Sequence, residues 1–267
     1  MSAQKLKTSV ADGIFTITLD DPPANTYSYE MMRELDDAVL QARMDAAIHV
    51  VVITGAGDKF FCAGANIGML KDADPTFKYY FCLHANETLT RLEQTPKLVI
   101  AALNGHTVGG GLEVAMAADI RIARQRAGKI GMPEVALGVL PGTGGTQRFA
   151  RLVGKAKAIE MMATGALFSF EDAQAIGLVN HVWSDGDLNG RSFSQAIHEY
   201  AKQFTPPNKA AKAVGHIKRA VQSGLESSFA EGLALERELQ QRLFESDDAK
   251  EGLKANLEKR KPNFSGR

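Results

Sequence analysis

Residues 104–148 read NGHTVGGGLEVAMAADIRIARQRAGKIGMPEVALGVLPGTGGTQR. They follow an apolar run, Leu98 to Leu103, of the kind a strand shows when both its faces are covered. Three consecutive glycines, Gly109 to Gly111, end that strand–turn, and Glu113 then falls in the first turn of a predicted helix. A second glutamate stands in Met132-Pro133-Glu134, and another glycine-rich turn, Pro141 to Gly145, closes the stretch. Glycines in a row let backbone approach a ligand with no Cβ in the way and permit positive φ. At a helix start they aim free N–H groups and the positive end of the helix dipole at one spot. That arrangement suits developing negative charge, such as the oxygen of a polarised thioester carbonyl. A carboxylate within one turn of such donors can serve as general acid or base on the same substrate. Two carboxylates in one pocket push their pKa values apart, so one gives a proton while the other takes one. Neither glycine run spells G-x-G-x-x-G or G-x-x-x-x-G-K-[ST], which speaks against dinucleotide and triphosphate sites.

Outward from this stretch, residues 13–20 (GIFTITLD) alternate as a strand, and Asp21-Pro22-Pro23 breaks them. Met31, Leu35, Ala38 and Ala42 mark one face of an amphipathic helix that Ser28 is placed to cap. Residues 49–54 form a second apolar strand ending at Gly55-Ala56-Gly57, a helix is predicted near 77–94, and residues 119–123 give another short strand. This alternation implies β-α-β units and an α/β fold. From Gly144 onward the pattern is largely helical, with helices predicted over 145–153, 155–163, 170–176, 193–203, 207–223 and 225–245 and a strand over 178–183.

The chain has 267 residues, 45% of them hydrophobic, enough for one cored domain and an appendage. Lys and Arg total 31, as do Asp and Glu, so no net field draws the chain to nucleic acid or anionic membrane. No run reaches the ~18 apolar residues of a membrane span. Residues 1–9 lack an apolar leader region and the only cysteines are Cys62 and Cys82, so a cytoplasmic location is expected. No internal repeat or low-complexity tract stands out.

The patterns N-G-x-x-x-G-G-G-x-E and P-E-x-x-L-G-x-x-P-G-x-G-G-T-Q-R resemble the crotonase (enoyl-CoA hydratase/isomerase) family. Phe60-Phe61-Cys62-Ala63-Gly64-Ala65-Asn66-Ile67 resembles that family's coenzyme-A and oxyanion turn, and residues 258–264 (EKRKPNF) resemble its tail. The resemblance implies a crotonase-like spiral of ββα units over residues 1–200, carrying the CoA and catalytic site. It implies a C-terminal helical region, 201–267, that builds a homotrimer or a hexamer (a dimer of trimers). By the same resemblance, the N–H groups of Ala65 and Gly110 form an oxyanion hole, and Glu113 and Glu134 grip one water that Gly142 helps to hold. Ala63, Ala65 and Ile67 border CoA, and Lys259 reaches a phosphate, although a solvated charge in the run Lys259-Arg260-Lys261 fits equally. Which glutamate is acid and which is base stays open. The substrate is an acyl-CoA thioester; no metal or other cofactor is implied, coenzyme A being part of the substrate. Related isomerases keep the second glutamate and lack the first, so the pair favours a hydro-lyase, an enoyl-CoA hydratase of fatty-acid type.

The chain also departs from the family pattern. Asn66 stands for the usual aspartate, Asn256 for a large apolar residue, and Ala24-Asn25-Thr26-Tyr27 for N-A-[LM], an aromatic expected near the CoA entrance. Residues 77–84 (FKYYFCLH) are unusually aromatic for the segment that shapes the acyl pocket. His106 and Cys62 allow a nucleophilic pair on paper, with a structural histidine the stronger reading. Other crotonase chemistries (isomerase, thioester hydrolase, decarboxylase) share the oxyanion hole. An RNA-binding relative would need a basic first helix, whereas residues 29–46 hold Glu30, Glu34, Asp36, Asp37 and Asp45 against Arg33 and Arg43.

Overall fold

Strands that are apolar on both faces need neighbours on both edges and layers above and below, and this demand organises the molecule. A computed structural model describes residues 4–266. The start of the N-terminal segment 1–9 (residues 1–3) and the last residue of the 201–267 region therefore lie outside the described residues. The chain begins with β1 (Leu6–Ala11), β2 (Ile14–Leu19), α1 (Tyr29–Met44), β3 (Val50–Gly55) and β4 (Phe60–Cys62). It continues through α2 (Ile67–Lys71), α3 (Pro75–Glu93), β5 (Leu98–Leu103), β6 (His106–Val108) and α4 (Gly110–Met116). Then come β7 (Ile120–Arg124), β8 (Ile130–Gly131), a 3₁₀ turn (Glu134–Leu137), α5 (Gly145–Val153), α6 (Lys155–Thr164) and β9 (Leu167–Phe168). The remainder is α7 (Phe170–Ala175), β10 (His181–Trp183), α8 (Asp185–Leu188), α9 (Phe193–Lys202), α10 (Ala211–Gly224), α11 (Phe229–Phe244) and α12 (Asp247–Leu257).

Two sheets result, ordered β1-β2-β3-β5-β7-β10 and β4-β6-β8-β9. β2, β3, β5, β7 and β10 run parallel, with β1 antiparallel at one edge. Each of β3, β5 and β7 is followed by a short strand of the second sheet, and helices lead from β4 to β5 and from β6 to β7. This is the repeating ββα path expected above. One face of the large sheet (Phe15, Ile17, Val51, Ile53, Val99, Ala101) packs into the main core with α1, α3 and α4. The other (Ile14, Val50, Val52, Ile100, Ile122) packs on α9 through Phe193 and Ile197.

Several element ends follow caps that residue patterns alone placed loosely. Ser28 accepts from the Met31 N–H, as expected. α3 starts at Pro75 rather than 77, because Asp74 caps it and proline fits the first turn. α11 starts at Phe229 rather than 225, where Ser228 and Glu231 form a capping box. β1, α2, α12 and the strands of the second sheet were not anticipated. The last are two or three residues long, too short to show a period.

Asn104 joins the two central strands where they leave the sheet. Its Oδ1 accepts from the Gly55 N–H (3.0 Å) and the Thr54 hydroxyl (3.2 Å). Its Nδ2 donates to the carbonyls of Gly55 (2.9 Å) and Gly57 (2.7 Å). Asn104→Ala removes the partners of the buried Gly55 N–H and carbonyl, at roughly 1–3 kcal/mol each, while the Thr54 hydroxyl keeps the Ala102 carbonyl (3.0 Å). Urea unfolding of Asn104→Ala should therefore show a loss of about 3 kcal/mol; a loss below about 1 kcal/mol contradicts this account.

Candidate active site

Gly109, at φ +57°, turns the chain from β6 into α4. Glu113, on the first turn of α4, is only 2% exposed. A buried carboxylate needs donors, and the second glycine turn supplies them. Thr143 N–H (2.8 Å) and Gly145 N–H (2.7 Å) both donate to Glu113 Oε1, and the Thr143 hydroxyl donates to Oε2. Two amides that flank one residue face the same oxygen because Gly144 lies between them at φ +106°. Arg148 holds the turn from behind. It pairs with Glu93 through two hydrogen bonds (2.8 and 2.6 Å) and donates to the Thr143 carbonyl (3.2 Å).

Glu134 opens the 3₁₀ turn in a different setting. Its Oε2 is buried without a hydrogen-bond partner, and Oε1 would lie 3.0 Å from a Cβ on Gly109, so it stands against the start of α4. Burial lifts its pKa from the ordinary 4.5 to about 7, and the nearby Glu113 adds to the rise. Gly142 follows both glutamates in sequence and faces Cys82, whose Sγ would be 3.1 Å from an added Cβ.

The expected amide pair comes together. Gly64, at φ +89°, is so close to α4 that a Cβ on it would sit 3.0 Å from the Gly110 N. Among the described residues, neither the Ala65 nor the Gly110 N–H has a hydrogen-bond partner. Two free amides on touching turns, one at a helix N-terminus, can receive an anionic oxygen. Ala63 is tied by its N–H to the Ala24 carbonyl (3.1 Å), and Ile67 is exposed at the first position of α2. Asn66 caps α2 through Oδ1 to the Met69 N–H (3.0 Å), the task an aspartate would perform.

Some expectations need correction. Tyr27 is not at an entrance: it is 3% exposed, with its ring against Gly110 and its hydroxyl 3.1 Å from Thr143 Oγ1. The reason is the parallel bridge between Tyr27 and Ala65, which directs this side chain inward. His106 and Cys62 are not a nucleophilic pair. His106 Nδ1 accepts from the Lys129 N–H (3.1 Å), and burial pushes the Cys62 thiol up to about 12, so it stays protonated. Among the described residues no hydrogen bond or ion pair engages the exposed Lys259 side chain, and Asn256 is exposed on α12. Of the aromatic segment, Phe81 is buried and stacks on Tyr27 (5.9 Å), while Tyr79 and Tyr80 face outward. Among the described residues no group of three His, Cys, Asp or Glu is placed to hold a metal ion.

Two contributors escaped the residue patterns, Thr143 and Tyr27. Thr143 had a usable signal, since a residue just before a positive-φ glycine presents its N–H beside that of the residue after it. Tyr27 had none at its own position, because its contacts all come from distant segments.

The enoyl-CoA hydratase/isomerase family model matches residues 9–267. A short-chain-enoyl-CoA hydratase of Clostridium acetobutylicum is 36% identical, with 93% of this chain and 92% of the relative covered. A crotonyl-CoA hydratase of Syntrophomonas wolfei is 36% identical, with 90% and 89% covered. The crystal structure of an enoyl-CoA hydratase of Geobacillus kaustophilus superposes with a TM-score of 0.94 at 45% identity, covering 100% of this chain and 98% of that one. The ββα path, the two glycine turns and these matches along the whole chain have one explanation: the chain belongs to the enoyl-CoA hydratase/isomerase family.

Proposed function

We propose that this protein is an enoyl-CoA hydratase, a hydro-lyase that adds water syn across the double bond of a trans-2-enoyl-CoA. The observation that carries the reading is the contrast between its two site carboxyls: Glu113 wrapped in three donors, Glu134 buried with a free oxygen and a pKa near 7. Glu113 acts as the base. It takes a proton from water as the water oxygen bonds to Cβ, and electrons move through the double bond onto the thioester oxygen. The N–H groups of Ala65 and Gly110 stabilise that oxyanion, and Glu134 delivers its proton to Cα as the enolate collapses. A proton returned from Glu113 to Glu134 restores both groups, and dehydration is the same path reversed. An isomerase moves a single proton with one carboxyl and has no task for a second, so Glu113 is what separates hydration from double-bond migration.

The CoA contacts of Ala63, Ala65 and Ile67, the water contact of the Gly142 N–H and the phosphate contact of Lys259 belong to this proposal. So does the division at residue 200, with 201–267 assembling trimers or hexamers. Phe229 (82% exposed) and Leu257 (84%) support that assembly, because helices α11 and α12 of one chain leave large apolar side chains uncovered. With the exposed Lys259 side chain unengaged among the described residues, a phosphate carried by a neighbouring subunit's substrate is a suitable partner for it. A cytoplasmic location and a role in fatty-acid metabolism complete the reading. No helix among the described residues is long and apolar enough to cross a membrane.

The test is the loss of enoyl-thioester absorbance from crotonyl-CoA. Wild type should be fast, and Glu113→Gln and Glu134→Gln should each be slower by roughly 10²–10⁴. An enzyme inert on crotonyl-CoA and on longer and branched enoyl-CoAs defeats the proposal.

A second expectation concerns pH. Hydration needs Glu134 protonated, so kcat/KM for hydration should fall as pH rises through about 7, and that limb should vanish from the residual activity of Glu134→Gln. Stability has the same sign. The folded pKa lies above the ordinary 4.5, so the folded state holds the extra proton between these values. Wild type should thus lose stability relative to Glu134→Gln as pH rises from about 4.5 to about 7, read from unfolding midpoints at each pH. A flat difference contradicts the assigned burial of Glu134.

A further inference from the structure

One residue touches both amide turns and the hydroxyl that donates to Glu113, although it carries none of the chemistry assigned above. The Tyr27 N–H donates to the Gly64 carbonyl (3.0 Å), and the Asn66 N–H donates to the Tyr27 carbonyl (2.9 Å), so Tyr27 grips the first amide turn on both sides of Ala65. Its ring lies against Gly110, filling the space a Cβ there would need, and so meets the second amide turn. Its hydroxyl, 3.1 Å from Thr143 Oγ1, ends at the group that donates to Glu113.

The direction of the last bond follows from counting protons. The Thr143 hydroxyl has one hydrogen and gives it to the Glu113 carboxylate, which can only accept. Thr143 Oγ1 can then only accept from Tyr27, so the order is Tyr27 O–H to Thr143 O–H to Glu113. Without a donor on its oxygen, the Thr143 hydroxyl is less firmly held in the rotamer that serves Glu113, and an apolar residue at position 27 offers no such donor. Burial holds the Tyr27 hydroxyl well above its ordinary value of 10, so it remains a donor wherever the enzyme works. The titratable groups facing it are Glu113, Cys62 and Cys82; Phe81 stacks on its ring.

We propose that Tyr27 is a positioning residue of this site: its hydroxyl fixes the Thr143 hydroxyl on Glu113, and its backbone and ring set the spacing of the Ala65 and Gly110 amides. The inference rests on the hydratase reading for its kinetic arm. Its second arm needs no turnover.

The kinetic arm compares Tyr27→Phe, Thr143→Val and the double variant on crotonyl-CoA. Tyr27→Phe keeps the ring and should keep the fold, which its unfolding midpoint checks. Its kcat should fall about tenfold, the value of one hydrogen bond, with KM within about twofold of wild type. The double variant should be no slower than Thr143→Val alone, since the hydroxyl acts only through Thr143. A Tyr27→Phe rate within about twofold of wild type overturns the hydroxyl's role, and fully additive losses overturn its path through Thr143. The second arm binds acetoacetyl-CoA, whose enolate absorbs in the near ultraviolet and is stabilised by the two amides. Tyr27→Phe should retain that band, and Tyr27→Leu, which removes the ring from Gly110, should weaken it severalfold at saturation. An undiminished band in Tyr27→Leu overturns the ring's role. A wild type that binds acetoacetyl-CoA with this band but hydrates no enoyl-CoA defeats the function proposed above and leaves the ring's role to be decided by the spectrum.

Discussion

The burial of the Glu113 carboxylate is the constraint on which the rest of the site depends. A carboxylate taken out of water must be given donors, and a helix of seven residues cannot supply them from itself. They come from a turn some thirty residues later in the chain, which therefore has to return to the start of α4 with two amides facing one way. Gly144 meets the conformational demand, and the Arg148–Glu93 pair meets the mechanical one. The pattern G-T-G-G-T-Q-R is a record of this requirement. Threonine donates, glycine turns, and arginine holds the turn to α3.

The same pocket leaves Glu134 unsatisfied, and the difference between the two groups lies in their donors: two backbone amides and the Thr143 hydroxyl on Glu113, none on Glu134 Oε2. Glu113 faces the start of α5, where N–H groups are free; Glu134 sits after Pro133 on a 3₁₀ turn, and no donor reaches its Oε2. Both are glutamates, so composition cannot tell them apart. Chemistry that needs a base and an acid at once obtains both from one residue type by placing one opposite a helix start and the other in a place with none. In the proposed reaction the amides of Ala65 and Gly110 add the third element, and they too are helix-start or turn groups whose N–H has no partner among the described residues.

Much of this was legible from the chain. The central strand Leu98–Leu103 and helix α5 were found at their observed bounds, because apolar runs and glycine stops are local signals. Glu113 and Glu134 stood out as carboxylates beside the two glycine turns, whereas Ala65 and Gly110 were pointed to by family resemblance. The second sheet was not, since its strands pair across the ββα turns and carry too few residues for a period. The place of Tyr27 was misjudged for a related reason: its environment is assembled from residues near 64, 110 and 143, and none of them is near it in sequence. Local physics predicts elements and motifs; which distant side chain closes over a motif depends on tertiary packing.

The departures from the family pattern also look different once folded. Residues 24–27 and Asn66, separate oddities along the chain, form one cluster. The Ala63 N–H reaches Ala24, the Asn66 N–H reaches Tyr27, and Asn66 Nδ2 donates to Thr26 Oγ1 (3.4 Å). Thr26 in turn points its hydroxyl at Asp21 Oδ2 (3.4 Å). With that single hydrogen committed, Thr26 needs a donor on its other side, and asparagine has one where aspartate does not. Aspartate at 66 would still cap α2, but its second oxygen would face the Thr26 oxygen with no hydrogen between them, because Thr26 gives its one hydrogen to Asp21. Thr26 and Asn66 are thus a matched pair. The exchange of aspartate for asparagine keeps the cap of α2 while adapting this turn to a different neighbour, so it changes the local bonding of the site without removing any of the groups that act on substrate.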